Sequence, residues 1–155
     1  MTSLAGETKD NELLVSGLYP PGLATTRATP SRFETSPDGT LLIYPQGKNI
    51  VVRSVEEPNK GFIFQGHKAT TTAARFSPDG KLVASGDSTG FIKIWSWSEA
   101  SHAIKKEIKV MGKCVTDISW GPDSKRIGVA GDGGQRARCI LALSGSDQSP
   151  DMSGH

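Results

Sequence analysis

Three histidines, two cysteines and one glycine-rich acidic turn are the places in this sequence where residue types alone suggest chemistry. Catalysis needs a nucleophile and base within hydrogen-bond reach, or a set of metal ligands. The histidines do not converge on either. His67 follows a glycine, His102 follows the polar run SEAS, and His155 is the last residue. Cys114 and Cys139 lack CxxC spacing and read as two reduced thiols. The run GDGG at Gly131 to Gly134 could cradle a phosphate through backbone amides. It lacks the lysine and helix of a P-loop, so a hairpin loop explains its glycines better. Asp38 and Asp79 form a carboxylate pair only on paper, because each sits in a turn where Asp bonds its own backbone. No catalytic residue, metal ligand, cofactor or small-molecule substrate is expected.

The elements that would position these residues follow from a repeat. SPDG occurs at Ser36 to Gly39 and again at Ser77 to Gly80, and a degraded copy, GPDS, sits at Gly121 to Ser124. A period of about 40–45 residues is that of a propeller blade, one four-stranded antiparallel sheet per repeat. The blocks run from about Ala28 to Gln65, Gly66 to Met111 and Gly112 to Ser153.

In the second block the alternating, β-branched TTTAARF reads as a strand, and Pro78 and Gly80 turn the chain back into KLVAS. GDSTG makes the next tight loop before FIKIWSW, where Ile92 and Ile94 face one way and Phe91 and Trp95 the other. KKEIKVM is a charged outer strand. LLIY, IVVR and GFIFQ repeat the plan in block one, and CVTDISW, KRIGVAG and RCILAL in block three. The fold class expected is all-β, with about three blades of an incomplete propeller over residues 18–155 and a disordered extension over 1–17.

The bulk numbers agree. Among 155 residues, 18 glycines and 9 prolines with 35% hydrophobic residues suit short strands and frequent turns. A net charge of +2 offers no field for nucleic acid or an anionic membrane. The charged N-terminus is unlike a signal peptide, and no apolar run approaches the ~20 residues that span a bilayer. A soluble, cytoplasmic protein is expected.

The stretch GHKATTTAARFSPDGKLVASGDSTGFIKIW resembles a WD repeat. The resemblance implies a buried network through His67, Ser85 and Trp95. The pattern's Asp position falls on Thr89, and Ser96 replaces the Asp after the Trp, which implies an incomplete network. Read with LYPPGLATTRATPSRFETSPDG and VTDISWGPDSKRIGVAGDGGQ, the chain from Leu18 onward resembles the N-terminal blades of the actin-interacting protein 1 family.

That likeness implies partners, actin filaments and cofilin, and a role in cofilin-dependent filament disassembly without chemistry of its own. That family has two seven-bladed propellers. The present chain stops at SGH, where the next Gly-His would begin, so an N-terminal fragment of a longer protein is the expectation. The loop before RCILAL carries Gln135, Arg136 and Ala137 where the family has an acidic residue, an Arg and an aromatic.

The candidate partner face joins Asp87, Ser88 and Thr89 to Asp132, Gln135 and Arg136, on the side opposite the SPDG turns. Lys125, Arg126, Arg136 and Arg138 are a candidate basic patch for an acidic protein surface. The alternatives are a generic WD-repeat scaffold for another complex and, more remotely, an enzyme using the central channel.

Overall fold

The computed structural model describes residues 21–23, 27, 32–134 and 136–143. The extension expected over residues 1–17 lies outside them, as does Gln135. Eleven strands form three antiparallel sheets among the described residues. Blade one is β1 (Glu34–Thr35), β2 (Leu41–Gln46), β3 (Asn49–Ser54) and β4 (Gly61–Phe64). Blade two is β5 (Thr71–Phe76), β6 (Leu82–Asp87), β7 (Phe91–Ser96) and β8 (Ile104–Lys109). Blade three is β9 (Val115–Trp120), β10 (Arg126–Gly131) and β11 (Ala137–Leu141). In each sheet the strands lie side by side in sequence order, as a meander does, and no ring closure is seen. The short β1 ahead of the first turn has no counterpart in the sequence reading of block one.

The repeated tetrapeptide builds the same corner twice. Ser77 N donates to Leu82 O at 2.8 Å, and Gly80 N to Ser77 O at 2.9 Å. The Ser77 hydroxyl donates to Asp79 Oδ1 at 2.5 Å, and Asp79 in turn accepts from Lys81 N. Ser36, Asp38 and Thr40 reproduce every one of these bonds in blade one. The Ser36 hydroxyl and the Thr40 amide hold the Asp38 carboxyl down at about 2. Gly39 (φ 76°) and Gly80 (φ 73°) occupy the left-handed region that glycine enters without strain. In the third copy that position is Ser124, at φ 55°, and Gly121 supplies no hydroxyl to cap the turn.

Period-two alternation then sorts side chains into two cores. Toward blade one, blade two presents Ala74, Phe76, Val83 and Trp95, packed on Ile43, Ile50, Val52 and Phe64. Toward blade three it presents Ala73, Ala84, Ile92 and Ile94, packed on Val115, Ile118, Ile127 and Val129. β6 is buried along its whole length for this reason. Each fully buried aliphatic side chain contributes about 1.5–3 kcal/mol relative to an exposed one. The middle sheet has such side chains on both faces, and its neighbours have their main core on one. No helix among the described residues is long and apolar enough to cross a membrane.

Candidate functional site

The sharpest polar constellation lies inside blade two. β4 ends at Phe64, whose ring stacks on Trp95 at 4.2 Å, and the chain then crosses to β5 through His67. His67 Nδ1 lies 2.9 Å from Asp87 Oδ2 and Nε2 lies 2.7 Å from Ser85 Oγ. Trp95 Nε1 donates to the same Ser85 oxygen at 3.2 Å. The carboxylate can only accept, so Nδ1 carries the ring proton, and Nε2 accepts from the Ser85 hydroxyl. Burial pulls the His67 pKa down against the upward pull of Asp87, which keeps the ring neutral. Burial pushes Asp87 up, but bonds from Thr89 and His67 more than offset this and hold it below its ordinary 3.8.

The network is therefore complete, contrary to the expectation from Thr89 and Ser96. Asp87 stands two residues before the pattern's Asp position and still reaches His67, while Thr89 hydrogen-bonds back to Asp87 Oδ1 at 2.6 Å. Bond for bond, Asp87–His67–Ser85 matches a hydrolase triad. Ser85 is 0% exposed, so no acyl group can reach its oxygen. The arrangement ties β4–β5, β6 and β7 into one unit.

This geometry also removes Asp87 from the candidate partner face: it is buried and its carboxylate is spent internally. Ser88 and Thr89 remain exposed at the β6–β7 loop. The structure links that loop to the β10–β11 loop through the crossover at residues 110–114. Gly90 O accepts from Val110 N at 2.9 Å, and Asp132 O accepts from Lys113 N at 3.0 Å. Gly90 is at φ 91°, and a Cβ there would run into the Met111 carbonyl. Ser88, Thr89, Asp132 and Arg136 thus share one exposed end of the blades.

The four basic residues of block three do not form one patch. Lys125 and Arg126 lie at the GPDS turn, where Arg126 Nε pairs with Asp123 at 3.0 Å. Arg136 lies at the other end of the hairpin, opposite Gly131 and about five residues of strand (roughly 17 Å) from Arg126. Arg138 turns inward, with Nη1 3.4 Å from Val110 O.

A second constellation went unread in the sequence. Arg75 on β5 reaches Asp117 on β9 at 3.1 Å and Glu34 on β1 at 3.6 Å. Arg32 reaches Asp117 from the other side at 3.3 Å. Glu34, Arg75 and Asp117 line a cavity of about 480 Å³, walled also by Pro37, Pro78 and Trp120. Burial raises the Glu34 pKa against the pull of Arg75. Half-exposed pairs of this kind contribute about 0–1 kcal/mol each. Superposing the turns would have found them: Glu34 and Arg75 stand two residues before the turn serine, and Arg32 and Asp117 four before the turn's first residue.

The WD domain, G-beta repeat pattern matches residues 59–96, from the end of blade one through β7. The 66 kDa stress protein of Physarum polycephalum is 33% identical over 89% of this chain. Actin-interacting protein 1 of Drosophila melanogaster is 33% identical over 72% of it, and WD repeat-containing protein 1 of Xenopus tropicalis 31% over 77%. The chain is a WD-repeat protein related to the actin-interacting protein 1 family. It spans 23%, 18% and 20% of the lengths of those three relatives, respectively. Relatives of this WD-repeat kind are typically scaffolds without enzymatic activity.

Proposed function

We propose that this chain supplies blades of an actin-filament-binding WD-repeat protein that promotes cofilin-dependent filament disassembly in the cytoplasm. The observation that carries the reading is its 33% identity to a protein named actin-interacting protein 1 across 72% of its residues. Residues 18–155 act as the partial propeller, with blades at about 28–65, 66–111 and 112–153. The sheets are a rigid frame, and the exposed loops at Ser88, Thr89, Asp132 and Arg136 are the contact surface. The protein works by binding and has no chemistry of its own.

Co-sedimentation tests this directly. The chain is spun with bare filaments, with cofilin-decorated filaments, and alone. Enrichment in the pellet with decorated filaments is the expected result. Equal partitioning in all three would sink the actin reading and leave a scaffold for some other complex.

A further inference from the structure

The face of blade one turned away from blade two is dry, and a stretch upstream of the blade lies on it. Tyr44 on β2 pairs with Val51 on β3, and Val51 with Ile63 on β4, so the three make one row across the sheet. Alternation sets this row opposite Ile43, Ile50 and Val52, which fill the core shared with blade two. Tyr44 is 2% and Val51 0% exposed, while Ile63, at the outer end, is 36% exposed. The cover therefore lies over the inner end, where the Tyr44 hydroxyl donates to Pro21 O at 2.5 Å. Pro21 and Gly22 are exposed, and a Cβ on Gly22 would meet nothing within 4 Å. This stretch rests on the blade's surface and is not packed inside it.

Blade two covers the same place in another way. Tyr44 and Ser85 each stand eight residues after their turn serine, and the row matching Tyr44, Val51 and Ile63 is Ser85, Lys93 and Glu107. There the β4–β5 crossover sets His67 on Ser85 at 2.7 Å, and the row is polar. In blade one the row is apolar and the Tyr44 phenol reaches out to the upstream backbone instead. We infer that residues 21–23 form a strap, latched by the Tyr44 hydroxyl, that shields this apolar face from a second copy of the chain. The bared row would offer what joins the blades elsewhere, as Ile43, Ile50 and Phe64 meet Val83 and Trp95. The latch is light, because one neutral hydrogen bond shifts an equilibrium by about twofold to tenfold. The strap goes beyond the actin reading and does not depend on it.

Tyr44→Phe in the whole chain tests the latch, since it removes the hydroxyl and keeps the ring. Trypsin cleavage after Arg27, an exposed residue just downstream of the strap, reports its opening. Cleavage should speed up about threefold to tenfold in the variant. The variant should also bind more anilinonaphthalene sulfonate and sediment as a concentration-dependent dimer, while the unaltered chain stays monomeric. Adding Ile63→Lys at the exposed end of the row should return the double variant to a monomer without slowing cleavage, because a charge there would have to be buried against the second copy. An unchanged cleavage rate in Tyr44→Phe would overturn the latch. Faster cleavage with no gain in dye binding or association would overturn the shielded face, as would equal association of the unaltered chain. Urea midpoints followed by tryptophan fluorescence should agree between the unaltered chain and Tyr44→Phe. A large drop in the variant would make Tyr44 a core residue only and overturn the strap.

Discussion

Blades two and three are the same hairpin plan built with different ties. In register, Val83 pairs with Trp95 in blade two as Ile127 pairs with Ile140 in blade three. Counting on from each turn, Ser85 corresponds to Val129. Blade two holds these positions with a hydrogen-bonded chain, Trp95 to Ser85 to His67 to Asp87. Blade three fills them with Val129 and Ile140, which simply join the core against blade two. Blade two is also packed on both faces, and its turn carries a glycine where blade three strains a serine. The comparison teaches that the polar network belongs to a sheet already dry on both sides. Its bonds are worth most where water cannot compete for them.

The largest test of that contrast is Trp95→Ala. It removes the ring stacked on Phe64 and a donor to Ser85, and should cost about 3–5 kcal/mol in urea unfolding. Ile140→Ala in blade three should cost about 2 kcal/mol, near the low end for aliphatic truncation. Equal costs would mean that blade two gains nothing from its second packed face.

Next comes Asp87→Ala, which leaves the buried His67 Nδ1–H without its acceptor. The expected loss is about 1–3 kcal/mol. Asp132→Ala, at an exposed position of the blade three loop, should stay within about 0.5 kcal/mol.

Acid should act through the same network. The folded protein resists protonating His67, so below the ordinary histidine value of 6.5 the unfolded chain binds more protons and stability falls with pH. Asp87, with its depressed pKa, adds a further loss as pH falls below 3.8. Glu34 works the other way, because its raised pKa favours the folded state as it takes up a proton. Unfolding midpoints measured from pH 7 to 5 should therefore decline, and the decline should flatten in His67→Gln.

The smallest effect is expected at Ser124→Gly. Relief of the left-handed backbone should stabilise by about 0.5 kcal/mol, less what is lost with the 3.2 Å bond from Asp79 N to the Ser124 hydroxyl. Thermal melts of sufficient precision decide its sign.

Much of this architecture was legible in the residues. The SPDG spacing announced the corners, and alternation in FIKIWSW assigned Ile92 and Ile94 to one core and Trp95 to the other, as found. The Gly-His pair, Ser85 and Trp95 of the WD pattern are legible as one group, and they meet in one hydrogen-bonded chain. Asp87 was misread because a position in a pattern does not say how far a side chain reaches from a curling loop. The Arg32–Asp117–Arg75–Glu34 chain was missed because its members lie 42 and 85 residues apart and meet only when blades are set side by side. The basic patch failed for the opposite reason: residues close in sequence sit at opposite ends of one hairpin.

Amide hydrogen exchange on the whole chain tests the central contrast most directly. If the sandwiched, hydrogen-bonded sheet is the stable unit, the amides of β6 and β7 should exchange slowest, with β10 and β11 at least tenfold faster. Protection in β10 and β11 equal to or greater than that in β6 and β7 would contradict it.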